Sequence, residues 1–296
     1  MSVLQVRRVR SINWVDTVSL LITLVFSLLI IIPFINVIAI SFSTQQGYFA
    51  NRFMLFPTQF TTKNFQELLK DGRIWVGYRT SLTLVLVGVP LNMLLTILLA
   101  YGTSRPAYPG KKVFFWMILF TMLFSGGIVP LYLQLREMGL TNTIWAVLLT
   151  GTVNTFYMII MRNYFLSLPE SLIESVKLDG AGEWTALIFI IIPLSKPILA
   201  TMALFYMVDR WNEWYSAMIF IRKAELTTLQ LVLRSIVIES QRVSTIESGE
   251  SLSIMQKFEM GIKMGAIVVT ILPVMCVFPF LQKYFTSGIM IGAIKT

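Results

Sequence analysis

The chain has 296 residues, 56% of them hydrophobic and only 13% charged, and its mean hydropathy of +0.74 is well above that of a water-soluble domain. It contains no histidine and one cysteine, Cys276, which excludes an internal disulfide framework and a cysteine-based metal cluster and argues against an ordinary hydrolase or metalloenzyme. The net charge of +9 comes from Lys and Arg scattered between apolar runs, so it reads as a membrane-orientation signal rather than a nucleic-acid surface.

Six stretches are apolar over a length that can cross about 30 Å of hydrocarbon: residues 18–40, 81–101, 113–133, 143–160, 186–208 and 264–285. Each is expected to be helical, because hydrocarbon offers no partner to a free backbone N–H or C=O, and Pro33, Pro90, Pro193, Pro197 and Pro273 are expected to kink their helices. The first stretch follows Arg7, Arg8 and Arg10, but its apolar core is too long for a signal peptide and no small-residue cleavage pattern follows, so it reads as a retained anchor. The short loop Ser104 to Lys112 carries Arg105, Lys111 and Lys112 with no acid, which places it on the cytoplasmic side. Six spans then put both termini inside, in agreement with Lys283 and Lys295, and the long loops 41–80 and 209–263 outside.

In the third span, Ser125, Gly126, Gly127 and Pro130 read first as a packing kink and second as a helix broken at a substrate site. The fourth contains Thr150, Gly151, Thr152, Asn154 and Thr155, small or polar residues that suit close helix packing or a wetted interior. Asn92, Thr150, Asn154 and Tyr157 are polar at membrane depth, with hydrogen bonding between helices the first reading and pore lining the second.

Residues 163–185 are too polar for the bilayer. Ser167-Leu168-Pro169-Glu170 reads as a capping box that starts a short helix. Leu172, Ile173 and Val176 give that helix an apolar face, and Gly180 with Gly182 can end it in a left-handed turn before a new helix begins near Glu183. The product is a helix-turn-helix knob on the cytoplasmic surface.

The run Glu174-Ser175-Val176-Lys177-Leu178-Asp179-Gly180-Ala181, followed by Ile191-Ile192-Pro193, resembles the EAA motif of ABC-importer permeases, with Ser175 and Val176 in place of the family's two alanines. In that family the knob is the coupling helix that docks in a groove of the cytoplasmic ATPase subunit. The resemblance therefore implies an ATPase-coupling role for Glu170, Glu174, Ser175, Lys177, Asp179, Gly180, Ala181 and Gly182. Phe124-Ser125-Gly126-Gly127, Trp211-Asn212-Glu213-Trp214-Tyr215 and the tail Gly288 to Lys295 are similar to maltose-type sugar permeases, most of all the branch for aldouronate uptake. An acidic, uronate-containing glycan is the substrate class that likeness suggests.

Beyond the knob, Lys196 is expected to reach back to the inner interface. Asp209, Arg210 and Glu213 read as a local ion-pair cluster at the mouth of the fifth span, where charges can snorkel. Trp211, Trp214 and Tyr215 read first as an aromatic belt at the outer membrane surface and second as a platform for sugar stacking. The segment Glu225 to Phe258 is too long for a plain connection. It is expected to hold an amphipathic helix from Leu229, then a mobile loop over Val243 to Ser253, and to contact a binding protein.

The fold expected is thus an all-α integral membrane protein: one permease domain, residues 1–296, with six transmembrane helices in the type I ABC-importer permease fold. The resemblance implies a second homologous permease subunit, two cytoplasmic ATP-binding subunits, an extracytoplasmic sugar-binding protein and alternating access in a bacterial cytoplasmic membrane. No phosphate-binding Gly-rich loop of the G-x-x-x-x-G-K-S/T kind is present, so this chain is expected to hold no cofactor, with ATP and Mg bound by the partners. Candidates for the substrate path are Ser125, Asn154, Tyr157, Trp211, Asn212 and Glu213. The rival readings are an ATPase-independent secondary transporter or channel, which would need an ionisable relay inside the spans, and a non-transporting membrane scaffold.

Overall fold

A computed structural model describes residues 14–105, 109–178, 180–246 and 258–293, with side chains described as far as residue 279 except at 177 and 239–246. Among these residues there is no strand, only one isolated antiparallel bridge between Ser43 and Phe60. The chain divides into two units, Met1–Leu68 with Glu247–Val268 and Leu69–Ile246 with Val269–Thr296.

In the first unit, helix α1 (Trp14–Ser41) is 28 residues long, enough for about 42 Å of axis. It is apolar all round and leaves Phe26, Leu29 and Ile30 exposed, as a helix does when lipid or another apolar surface is its solvent. Only its last turn is covered, with Ala39 and Ile40 packed beside Met54, Tyr48 and Phe258. The stretch after it is no open loop. Thr44 caps α2 (Gln45–Ala50) by accepting from the Gly47 N–H, and α3 (Lys63–Lys70) carries a buried Asn64 whose amide donates to the carbonyls of Ser41 and Ser43 at 2.9 Å each.

The second unit is built around α4 (Gly72–Ser104), 33 residues capped by the Asp71 carboxylate, which accepts from the Arg73 N–H. Its buried side repeats small or polar residues at helical spacing, Gly77, Ser81, Gly88, Asn92 and Thr96, with Leu84 between them, and this lets neighbouring helices approach closely. Three of them pack there: α8 (Thr155–Ser167), α11 (Lys196–Trp211) and α13 (Leu229–Ile246). At Gly77 a Cβ would lie 2.9 Å from the Leu229 Cα, so only glycine admits the α13 crossing, and the Leu229 N–H is satisfied by the Ser81 hydroxyl at 3.0 Å. Leu229, Val232 and Ile236 form the buried stripe of the amphipathic helix expected in this region. The mobile loop expected from Val243 is helical through Ile246, and residues 247–253 lie outside the described set.

Three of the expected spans are not single helices. The span at 113–133 is α5 (Lys111–Leu123) followed by α6 (Ile128–Glu137), meeting at 111°. The packing kink favoured at Ser125 to Pro130 is instead a full break, because Gly127 takes φ +86° and turns the chain out of the helix. The span at 143–160 splits into α7 (Ile144–Leu149) and α8 around residues 150–154, where Gly151 has φ +79°. The span at 186–208 is α10 (Glu183–Leu194), with a π turn at Leu187–Ile191, and α11, which meet at 83° around Ser195. There Pro193 and Pro197 withhold two N–H donors from the ladder. Among the described residues, α1, α4 and Glu259–Pro279 of α14 (Glu259–Ala293) are each long and apolar enough to cross a membrane, and there are up to five such spans if each bent pair is one.

Candidate functional site

Two constructions emerge from this frame, a surface knob and a polar cavity. The knob is α9 (Ser171–Leu178) with the turn that follows it. The capping box expected at Ser167 does not form: the Ser167 hydroxyl donates to the Tyr164 carbonyl, and the helix starts four residues later. Leu168 precedes a proline and is held extended, so the chain leaves α8 there; the Pro169 carbonyl accepts from the Leu172 N–H and the Glu170 carbonyl from those of Ile173 and Glu174. At the other end Gly180 has φ +78° and the Ala181 N–H returns to the Val176 carbonyl at 3.1 Å, a Schellman closure that needs a residue without Cβ. Gly182 has an ordinary φ of −81° and starts α10 instead.

Ile173 plugs the knob into a core that includes Phe165, Ala186 and Leu187. From α4 the Tyr101 hydroxyl donates to the Glu183 carboxylate at 2.6 Å. The opposite side is left bare: Leu178 is 88% and Trp184 65% exposed, beside exposed Glu170, Glu174 and Ser175. Large apolar groups that a folded chain leaves in the open, ringed by charge, are what a docking surface looks like. Asp179 and the Lys177 side chain lie outside the described residues.

The cavity has a volume of about 300 Å³ and lies where the α7–α8 break faces α4 and α11. Its lining is Asn92, Thr150, Gly151, Val153, Asn154, Tyr206, Asp209, Arg210 and Glu213. Asn154 caps α8, its side-chain oxygen accepting from the N–H groups of Phe156 and Tyr157. The Asn154 N–H in turn donates to the hydroxyl of Tyr206 at 2.9 Å, and Tyr206, only 1% exposed, shares a 2.7 Å hydrogen bond with Thr96. The Tyr157 hydroxyl donates to Asp209 at 3.0 Å. Glu213 accepts from the Ser216 N–H and so caps α12 (Tyr215–Phe220). Two carboxylates, a tyrosine and amides around one space can accept from and donate to the hydroxyls of a polyol.

Residues 81–291 match the family described as the binding-protein-dependent transport system inner membrane component. The chain belongs to this family. The permease is 36% identical to the polygalacturonan/rhamnogalacturonan transport system permease protein YtcP of Bacillus subtilis strain 168, over 92% of this chain and 95% of that one. It is likewise 36% identical to protein LplC of the same organism, over 90% of this chain and 89% of that one. Among solved structures it superposes with a TM-score of 0.83 and 29% identity on a bacterial ABC transporter involved in the import of the acidic polysaccharide alginate, covering 93% of this chain and 98% of that one. It is a sugar ABC-importer permease, a membrane transport subunit of the kind that works with an ATPase and a substrate-binding protein.

The permease brings only part of the expected substrate-path set together. Asn154 and Glu213 line the cavity, and Tyr157 reaches it through Asp209. Ser125 sits far along the chain in the α5–α6 turn, where its hydroxyl accepts from the Gly127 N–H. Asn212 accepts from Gln230. Trp211 is neither belt nor sugar platform: it is buried, packs against Tyr78, and its indole N–H donates to the Thr270 carbonyl, because that face of α11 meets protein instead of lipid. Trp214 and Tyr215 are half-exposed, with the Arg234 guanidinium 4.7 Å above the Trp214 ring. The expected cluster of Asp209, Arg210 and Glu213 does gather around one space, but without a direct ion pair to Arg210. Arg210 is 3% exposed and spends its hydrogen bonds on backbone carbonyls and Asn92 instead of Asp209 or Glu213. The signal that could have exposed it was its position one turn after Tyr206, which puts both on the same face of α11.

Proposed function

We propose that this permease is the transmembrane subunit of an ATP-driven, binding-protein-dependent importer of an acidic, uronate-containing oligosaccharide. Residues 1–296 act as one transmembrane domain that crosses the bacterial cytoplasmic membrane six times, with both termini inside. It pairs with a second homologous permease, two ATPase subunits that hold ATP and Mg below, and a sugar-binding protein above. The observation that carries the reading is the knob. α9 is anchored by Ile173 and closed by Gly180, yet its Leu178 and the Trp184 that follows at the start of α10 are left exposed. Glu170, Glu174, Ser175, Lys177, Asp179, Gly180, Ala181 and Gly182 then form the contact with the ATPase. Movement of that rigid knob on ATP-driven closure swings the helices between inward-facing and outward-facing packings, because packed interfaces switch between discrete arrangements. The polygalacturonan/rhamnogalacturonan relative and the alginate importer favour an acidic glycan.

Affinity purification from a detergent extract should bring down an ATPase with the wild-type permease and lose it with Leu178→Asp or Glu174→Lys. Retention by both variants would return the knob to a mere surface loop and favour the ATPase-independent rival. Uptake should follow labelled oligogalacturonides in preference to neutral maltooligosaccharides, and the reverse preference would remove the acidic substrate. For topology, Ser104 is buried and would be shielded on either side, so exposed Lys112 and Glu225 are better positions. In a Cys276→Ser background, a cysteine at 225 should react with an impermeant thiol reagent in intact cells and one at 112 should not; the opposite pattern inverts the permease.

A further inference from the structure

We infer that Arg210 is a positioning residue for transport, whose guanidinium holds the α7–α8 break open and so keeps residues 150–154 in place as a wall of the polar cavity. A helix that stops within a packed bundle leaves its last carbonyls short of N–H donors, and other groups must supply them. Here those carbonyls belong to the end of α7 and the unwound turn after it, and the Thr150 and Thr152 hydroxyls, donating to Val147 O and Leu148 O at 3.2 and 3.1 Å, meet only part of the need. Arg210 Nη1 donates to Val147 O at 2.8 Å and Thr150 O at 3.4 Å, and Nη2 donates to Leu148 O at 2.9 Å and Gly151 O at 3.2 Å. Nη2 also reaches Asn92 Oδ1 on α4 at 3.0 Å. A planar fork with several fixed donors can meet so many acceptors at once, whereas a lysine ammonium, compact and limited to three donors, cannot. The charge sits at the negative end of α7, where a cation is favoured.

Two further features show that the arrangement is built. The surface of α4 is cleared for it: a Cβ on Gly88 would lie 3.1 Å from Arg210 Nε and 3.0 Å from Leu148 Cδ2. And Arg210 acts with its neighbours on one face of α11. Tyr206, Asp209 and Arg210 are spaced for a single helical face; Arg210 holds the α7 side of the break, while Tyr206 through the Asn154 N–H and Asp209 through the Tyr157 hydroxyl hold the α8 side. All of these but Tyr157 line the cavity. One helix thus clamps both edges of a gap, and the gap is the cavity wall.

The experiment uses the whole importer in lipid nanodiscs, in a Cys276→Ser background, with nitroxide labels at exposed Leu86 on α4 and Phe156 in the first turn of α8, and a control pair at Leu86 and Ile238 on α13. Arg210→Lys should broaden the 86–156 distance distribution and leave 86–238 unchanged. Uptake should fall about tenfold while binding-protein-stimulated ATP hydrolysis persists, the order of loss expected when a site is misplaced rather than unfolded. Gly88→Ala, which keeps the arginine and crowds it, should broaden 86–156 in the same direction and decides the matter if the lysine variant fails to assemble. Unchanged distances in both variants, or equal broadening of both pairs, would overturn the positioning role. Selective broadening with normal uptake would overturn its link to transport. The uptake arm rests on the proposed import function; the distance arm does not, so failure of one reading is distinguishable from failure of the other.

Discussion

The knob and the cavity are both polar interruptions of an apolar bundle, and they are held in opposite ways. The knob closes on itself: its bonds join residues three to five apart, Ile173 to Glu170 at one end and Ala181 to Val176 at the other, and its apolar tip is left bare. The cavity has some local support, from the Thr150 and Thr152 hydroxyls on α7 carbonyls and the Asn154 cap of α8, but its elements are joined by bonds of another kind. Its bonds tie Arg210 to Asn92, Tyr206 to Thr96 and Tyr157 to Asp209 across separations of 52 to 118 residues. A locally closed helix can be pushed as a solid piece, which suits a lever. A space walled by distant helices changes shape whenever those helices shift, which suits a path that must open and close.

That contrast can be broken most forcefully at Tyr206. Tyr206→Ala removes a buried ring and two hydrogen bonds, so detergent-purified permease should lose about 3–5 kcal/mol of stability in thermal or denaturant unfolding. Tyr206→Phe keeps the ring, leaves the Asn154 N–H unpaired, and should cost about 1–2 kcal/mol. Equal effects would mean that the ring alone matters and that the network does not hold the break. Gly180→Val tests the other region. A β-branched residue at φ +78° should cost roughly 1–2 kcal/mol, confined to the knob. Insertion should stay normal while uptake and stimulated ATP hydrolysis are lost; full uptake by this variant would end the lever reading. The smallest effect on stability is expected at Leu178→Ser, within about 0.5 kcal/mol because the side chain touches little of its own chain. Its loss should show only in the amount of ATPase recovered with the permease, and a large drop in unfolding temperature would mean that the tip is structural.

Much of the molecule is written locally. Apolar runs announce α1, α4 and α14, since length and composition are all a span needs. The end of α9 is legible in Gly180, and the start of α13 in the spacing of Leu229, Val232 and Ile236. The sugar-permease family follows from the residues around Glu174 and Asp179. What local reading misplaced was every feature whose cause lies elsewhere in the fold. Trp211 looked like a membrane-surface aromatic until Thr270 and Tyr78 closed over it, and Arg210 looked like a snorkelling charge until four backbone carbonyls and Asn92 received it. The break at Gly151 has the same character: glycine permits the helix to stop there, and the Arg210 guanidinium from another helix receives the carbonyls that the stop leaves over. By itself the sequence determined which segments are membrane-seeking, which family they form and where the knob ends, because hydrophobic length, turn geometry and motif spacing act over a few residues. Only the tertiary structure decided where the spans break and which polar groups meet in the cavity, because a buried polar group is placed by partners more than fifty residues away.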